Sequence, residues 1–304
     1  MLSVFAVVAA AVLFGTTGTA QALGPDGTTP LSVGVARLVI GGTALAAIGF
    51  ALARRRTAHT PNPKLTGRAV GLMALTGICL AAYQPLFFLG TERNGVAVGT
   101  VIALGSAPVL AGLLEWALTR RLPTAGWIAA TVLATAGVVL LSAGGGLDGG
   151  ADPLGLVGSI GAGASFAVFA NAQRRLMDAG WDPFTVAGAM GAGSGAIGLI
   201  ALPFVDLAWM AEPRGLAMAL WLGLATIALA YTLFTWGLER LTAATAATLT
   251  LAEPLTASIL GIFVLGEQLS ASATAGLAVL AAGLVLLAWT ARAPRNPDPV
   301  PLEG

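Results

Sequence analysis

The sequence predicts an all-α integral membrane protein with ten transmembrane helices, arranged as two five-helix repeats of inverted topology. The first observation is composition, since 57% of the residues are hydrophobic, only 10% are charged, and the mean hydropathy is +0.87. Soluble domains carry about 25% charged residues, so this chain is too apolar to be one of them. The second observation is a regular series of apolar segments, and the third is an internal repeat.

Ten segments are apolar over enough residues to cross a membrane, which takes about 20 residues for roughly 30 Å of hydrocarbon. They cover residues 2–23, 31–53, 69–90, 96–118, 124–142, 153–173, 183–204, 215–238, 242–266 and 271–290. Ala20-Gln21-Ala22 resembles a signal-peptidase site. No Lys or Arg precedes the apolar run, however, and the run is longer than a signal h-region, so we interpret it as the first span.

The second half of the chain repeats the first. Residues 92–141 match residues 239–287 at a separation of about 146 residues, with Glu-Arg at the start of both copies. Each copy has an odd number of spans, so the second must enter the membrane upside down, an arrangement typical of secondary transporters. The predicted domains are a first repeat over 1–143, a Gly-rich extracytoplasmic linker over 144–152, a second repeat over 153–290 and a cytoplasmic tail over 291–304.

Lys and Arg predict the orientation, because they concentrate in cytoplasmic loops. With a cytoplasmic N-terminus, only Arg93 and Arg214 of the 15 Lys and Arg residues face outward, and Arg37 lies inside a span. We therefore predict a multi-pass protein of the cytoplasmic (inner) membrane with both termini in the cytoplasm. The same orientation puts the start of the first copy outside and that of the second inside, which independently supports an inverted repeat.

Several classes of function are disfavoured. The net charge of +1 gives no reason to expect nucleic acid as a partner. One cysteine, Cys79, and one histidine, His59, cannot by themselves form a disulfide framework or a Cys/His metal site, and we expect no cofactor. The chain has no His-Glu-x-x-His motif, intramembrane aspartate pair or Ser/His pair, so we expect no enzyme. A channel would need rings of identical charge or a filter sequence, and neither is visible.

A set of motifs carries a resemblance to a known family. The motifs are Ala252-Glu253-Pro254-Leu255, Leu265-Gly266-Glu267-Gln268-Leu269, the paired starts Glu92-Arg93 and Glu239-Arg240, and Arg37 in the second span. They make the chain similar to the drug/metabolite transporter superfamily, of the EamA type with two five-helix repeats. The resemblance implies export of small metabolites or drugs, but it does not choose among substrates. The repeats are chemically unequal, since Ala107-Pro108 stands where the second has Glu253-Pro254.

Glu253 is the sharpest site candidate, because a carboxylate inside a span is costly and usually faces a cavity or a partner. We predict a binding or coupling role, the alternative being a hydrogen bond to a neighbouring helix. Arg37 is either a counter-charge for an anionic group or for Glu253, or a structural arginine near the outer interface. The other predicted cavity residues are Phe14, Tyr83, Gln84, Asn171, Tyr231 and Trp236. Such side chains also join helices or form interface belts.

The predicted function is secondary active transport by alternating access, most simply export of amino acids or related small metabolites. A multidrug or cationic-compound exporter is the main alternative, ahead of a channel. The expected partners are a small-molecule substrate and the lipid bilayer. Because one chain holds both repeats, a monomer is sufficient, and a dimer is the alternative.

Overall fold

A computed structural model of the chain describes residues 1–142, 152–266, 268 and 270–290. Ten long helices account for most of these residues. They are α1 Leu2–Ala22, α2 Pro30–Thr57, α3 Gly67–Gly95, α4 Val98–Thr119, α5 Ala125–Ser142, α6 Pro153–Asp178, α7 Pro183–Phe204, α8 Pro213–Leu238, α9 Ala243–Leu265 and α10 Ala271–Thr290. Within the described ranges all regular structure is helical.

The helix lengths fit a lipid bilayer. In the described part of the chain, nine helices are individually long and apolar enough to cross a membrane. The remaining helix, α5, has 18 residues, and at 1.5 Å per residue it is ~27 Å long, close to the ~30 Å of a hydrocarbon core. The predicted all-α membrane fold with ten apolar spans is therefore confirmed.

Two helices begin at Asp-Pro pairs. Asp152 caps α6 by accepting a hydrogen bond from the Gly155 N–H at 3.0 Å, and Asp182 caps α7 through the N–H groups of Phe184 and Thr185, both at 3.0 Å. The proline that follows each aspartate occupies the first helical turn, where its missing N–H costs nothing. The sequence therefore fixes where these spans start.

The junction between α3 and α4 is tighter than the sequence predicts. Helical structure continues through the predicted loop at 91–95, and the chain changes direction only at Gly95, which has φ 79° and ψ 154°. An L-amino acid with a side chain rarely adopts this conformation, whereas glycine does so without steric cost. Gly95 is therefore the hinge between two nearly continuous helices.

Matching helices of the two halves pack against each other in opposite directions. Gly137 of α5 lies against the backbone of Leu280 in α10, and Gly283 of α10 lies against Ala134 of α5. Ala134 and Leu280 are separated by the repeat distance, as are Gly137 and Gly283, so one contact occurs twice. The order of these contacts makes α5 and α10 antiparallel, as an inverted repeat requires.

The same relation holds for α2 and α7. Gly42 lies against Gly195, and further along α2 Gly49 lies against Gly188, which is earlier in α7. A Cβ at Gly42 or Gly49 would lie only 2.7 or 2.6 Å from a backbone nitrogen of α7, so the two helices approach at backbone distance. In addition, α1 packs on α8 and α9, while α3 and α4 pack on α6. These two sets of contacts correspond, because α1, α3 and α4 match α6, α8 and α9 in the repeat.

Large apolar side chains cover the outside of the bundle. Exposed examples on the spanning helices are Phe5, Ile200, Phe204, Phe263 and Trp289. A soluble protein rarely leaves so much apolar surface in water, and a bilayer explains it. The predicted tail 291–304, all of the predicted linker except Asp152, and Glu267 and Leu269 of the predicted motif lie outside the described residues.

Candidate functional site

A cavity lies near the middle of the spanning helices, between the two halves. Its volume is about 80 Å³, which holds a few water molecules and is well below the roughly 300–1,000 Å³ of a drug-sized pocket. It is lined by Phe14 and Thr17 of α1, Gly34, Arg37 and Leu38 of α2, Leu80, Tyr83, Gln84 and Phe87 of α3, Phe166 of α6, Ile227 and Tyr231 of α8, and Glu253 of α9. The structure thus brings six of the eight predicted residues to one place.

A break in α9 positions Glu253. The helix stops at Leu249 and resumes at Ala252, and the Glu253 N–H donates to the Thr250 carbonyl at 2.9 Å. Pro254 has no N–H to donate to that carbonyl, so the turn tightens to an i to i−3 bond. Within the described residues the half-buried Glu253 carboxylate accepts no hydrogen bond, so its charge is left to interact with whatever occupies the cavity.

Arg37 is buried and held by both halves of the protein. Its Nη1 donates to Oε1 of Gln84 at 2.8 Å, and its Nη2 donates to Oγ1 of Thr226 at 3.0 Å. Thr226 belongs to α8 and is itself fully buried. Among the described residues the Arg37 Nε–H is buried without an acceptor. A buried guanidinium held at two of its nitrogens is pre-oriented to bind an anion.

Two π-helical stretches determine where Arg37 and Thr226 lie. One covers Leu38–Gly42, directly after Arg37, and the other covers Trp221–Leu229 and contains Thr226. They pack together where Gly41 lies against Gly223. Wide π-helical turns are rare and frequently occur at functional sites. Thr226 could not be predicted as a site residue, because a single threonine in an apolar run carries no distinctive signal.

Arg37 and Glu253 bring two ionisable groups of opposite type to the same cavity. Arg37 and Glu253 both line it and are close enough for their charges to interact. In the part of the chain that the structure describes, however, no ion pair or hydrogen bond joins them. The cavity therefore presents a guanidinium group and a carboxyl group that are both available to a ligand.

Aromatic rings form the apolar wall of the cavity. Phe14 and Tyr231 pack with ring centroids 5.0 Å apart, and Tyr83 stacks on Phe87 at 6.1 Å. Phe166 contacts the same cluster from α6. Over the described ranges neither tyrosine hydroxyl forms a hydrogen bond. The cavity thus combines an apolar wall with two polar tips that can turn toward a ligand.

Two predicted cavity residues lie elsewhere in this conformation. Asn171 is buried in α6, and its Nδ2 donates to the carbonyls of Ala111 at 3.2 Å and Ala167 at 2.9 Å. It therefore joins α6 to α4. Trp236 is half-buried near the end of α8 and is not among the lining residues of the central cavity.

An ionic network ties the loops at one end of the bundle, the end predicted to be cytoplasmic. Arg56, at the end of α2, pairs with Asp182 at 3.3 Å and with Glu239 at 3.0 Å. Arg174 of α6 donates to the carbonyls of Leu238 and Glu239 and pairs with Asp178. We call these contacts the Arg56 network. It links the first half of the chain to the second at that end.

Metal ligands do not cluster at the cavity in the part of the chain that the structure describes. Among the described residues no group of three His, Cys, Asp or Glu side chains is placed to hold a metal ion. The described helices form a multi-pass membrane bundle around a small central cavity.

Comparisons with known proteins identify the family. The model of the EamA-like transporter family matches residues 1–143 and again residues 153–289, so the chain belongs to the EamA-like transporter family. This confirms the resemblance found in the sequence. The chain is also 42% identical, over 290 residues, to the "Uncharacterized transporter YwfM" of Bacillus subtilis (strain 168), covering 94% of this chain and 93% of that protein.

The fold is shared with a solved structure. It is described as "Crystal structure of protein", superposes with a TM-score of 0.76, and covers 95% of this chain and 97% of that chain at 20% identity. At this identity the likeness shows the fold alone.

Proposed function

We propose that the protein is a secondary active transporter that exports a small zwitterionic metabolite, of the amino-acid class, by alternating access. The observation that carries this proposal is the presence of Arg37 and Glu253 in one cavity with no bond between them. A zwitterion places a carboxylate and an ammonium a few ångströms apart. Its carboxylate would bind the Arg37 guanidinium, and its ammonium would bind the Glu253 carboxylate.

The size and wall of the cavity support a small ligand. A volume of about 80 Å³ is too small for a typical drug in this conformation, while the rings of Phe14 and Tyr231 suit an apolar side chain. A cationic-compound exporter is the second candidate, because Glu253 and the aromatic rings also suit a cation. Arg37 opposes that reading, since a buried guanidinium repels a ligand with positive charge only.

Alternating access accounts for the arrangement of the two halves. The cavity lies between them, and inverted repeats commonly rock around a site at this depth. We propose that both termini are cytoplasmic, as the distribution of Lys and Arg predicts, and that the protein resides in the cytoplasmic membrane. The Arg56 network would then close the cytoplasmic end in this conformation. Each chain has its own cavity, so we propose that a monomer transports.

A thermal-stability screen of the purified protein tests the substrate class, because a ligand that binds the folded state raises the melting temperature by mass action. The screen compares amino acids, nucleosides, sugars, polyamines and cationic drugs. We expect a rise confined to amino acids and related zwitterions. The rise should weaken in both Glu253→Gln and Arg37→Gln and persist in Glu212→Gln, which removes an exposed carboxylate outside the cavity.

A rise with polyamines or cationic drugs alone, unchanged in Arg37→Gln, would contradict the zwitterion proposal and favour the cationic-compound exporter. Transport mode needs a separate measurement in proteoliposomes. We expect saturable exchange of labelled substrate across the membrane. A continuous ionic current would contradict a carrier and favour a channel.

A further inference from the structure

A second, larger cavity opens at the end of the bundle that also carries the Arg56 network. Its volume is about 270 Å³, and it lies between the final turns of α4 and α10 and the first turns of α5 and α9. Its walls include Glu115, Trp116, Arg121, Trp127, Arg240 and Thr245. It shares no lining residue with the central cavity, so the proposed transport site does not account for it.

The charges of this second cavity favour an anion. Within the described part of the chain, the guanidinium groups of Arg121 and Arg240 form no ion pair and no hydrogen bond. Arg56 and Arg174, at the same end, are both paired with carboxylates. Glu115 is already engaged, because its Oε2 accepts the Ala244 N–H at the start of α9 at 3.0 Å. Two unpaired guanidinium groups around one cavity can hold a phosphate from two sides.

The surroundings of the cavity are those of a lipid interface. Trp116 is 40% exposed and Leu122 is 78% exposed, and both line the cavity opening. Tryptophan is enriched where lipid headgroups meet hydrocarbon. The hydroxyls of Thr124 and Thr245 add hydrogen-bond donors. A ligand that fits must therefore combine an anionic head with an apolar tail.

We propose that this cavity binds the headgroup of an anionic phospholipid, with Arg121 and Arg240 on the phosphate and Trp116 beside the first carbons of the acyl chains. Basic pockets between spanning helices on the cytoplasmic side attract such headgroups, and each arginine near the surface contributes about 1 kcal/mol. Because the lipid would join α4 and α5 of one repeat to α9 and α10 of the other, its binding stabilises the contact between the halves.

Native mass spectrometry of the full-length protein in detergent tests the site. Phosphatidylglycerol is titrated against the wild type, the double variant Arg121→Gln/Arg240→Gln and the matched double variant Arg54→Gln/Arg55→Gln, which removes two exposed arginines that do not line the cavity. We expect the first double variant to bind phosphatidylglycerol about 30-fold more weakly than the wild type, from two arginines at about 1 kcal/mol each. The matched variant should bind as the wild type does.

Two further arms identify the source of the phosphate. Phosphatidylcholine carries a phosphate without net negative charge and should bind much more weakly than phosphatidylglycerol. Inorganic phosphate, which has no apolar tail, should not displace the lipid. Equal weakening in both double variants would overturn the proposal, because the effect would then be general surface charge. Displacement by inorganic phosphate would overturn it too, because the site would then bind a soluble anion.

Discussion

The matching positions of the fourth and ninth helices differ in one side chain and in backbone. In α9, Glu253-Pro254 follows a break in the helix at residues 250–251, and the Glu253 carboxylate faces the central cavity. In α4, Ala107-Pro108 occupies the same place in the repeat, but the helix continues through it. Ala107 is only 6% exposed, within the packed interior.

The neighbours of these two positions are similar. Gly15 of α1 lies against the Glu253 carbonyl, and Gly163 of α6 lies against Ala107 and the turn before it. Two halves with the same helix packing therefore differ in chemistry, because only the second half has a carboxylate at this position. The inverted repeat thus supplies the architecture twice, while each half supplies a different charge to the cavity, Arg37 from the first half and Glu253 from the second.

Adding a carboxylate at the matching position of the first half should have the largest effect on stability. Ala107→Glu would bury a charge without a partner, which costs about 3–5 kcal/mol. We expect a much lower melting temperature and no second binding site. Ala107→Leu, which adds bulk without charge, is the control and should destabilise less. If Ala107→Glu were as stable as the wild type and bound a second substrate molecule, the inferred chemical difference between the halves would be wrong.

Removing the carboxylate from the second half should abolish transport while the fold persists. Glu253→Gln keeps the shape and loses the charge, so substrate affinity should fall at least about 30-fold, from ~2 kcal/mol or more for a buried charge pair. The melting temperature without substrate should stay close to that of the wild type, because the carboxylate has no hydrogen bond to lose within the described residues. Binding and melting are both measured on purified protein. A collapse of the fold would instead identify Glu253 as structural.

Removing the hydrogen bond between Arg37 and Thr226 tests how much α8 contributes to substrate affinity. Thr226→Val removes the hydroxyl that accepts the Arg37 Nη2–H and keeps the side-chain volume. A hydrogen bond to a charged group contributes about 1.5 kcal/mol or more, so we expect substrate affinity to fall about tenfold, with Thr226→Ser close to the wild type. Titration of the substrate with each variant checks this. Equal affinities for the valine and serine variants would exclude a positioning role for this hydroxyl.

Weakening the Arg56 network should have the smallest effect, a shift in the balance between conformations. Arg56 is 42% exposed in its side chain, and exposed ion pairs contribute about 0.2–1 kcal/mol each. Arg56→Gln removes two such pairs and should therefore shift the balance between conformations at least about twofold toward one open at this end. Labelling rates of a cysteine placed at Thr17 in the cavity, measured from each side of the membrane, report the shift. Arg55→Gln is the control, and an equal change there would contradict a specific role of the network.

Much of the fold could be predicted because lipid imposes simple constraints. Runs of apolar residues define the helices, and the repeat predicts which helices correspond. The near-continuous joint at Gly95 could not be predicted in the same way, because the polar residues before it read as a loop. Their backbone stays helical despite that composition.

The candidate site was predictable where charge is rare. Glu253 and Arg37 are conspicuous because ionisable residues inside spans are costly. Asn171 and Thr226 illustrate the limit, since polar but uncharged side chains serve helix packing and cavities alike. Whether such a side chain reaches a cavity residue depends on the rotation of its helix. In α8 the π-helical stretch, which brings Thr226 to Arg37, changes that rotation in a way that residue spacing does not reveal.

The most direct test of a zwitterion between Arg37 and Glu253 is a binding measurement with trimmed ligands. The best amino-acid ligand is compared, by isothermal titration of the purified protein, with its analogues that lack the amine or the carboxylate. In the wild type both analogues should bind far more weakly than the intact ligand. Loss of the amine should cost nothing further in Glu253→Gln, and loss of the carboxylate should cost nothing further in Arg37→Gln. If trimming the ligand still lowered its affinity in full in both variants, the zwitterion proposal would be contradicted, because other residues would then bind the ligand charges.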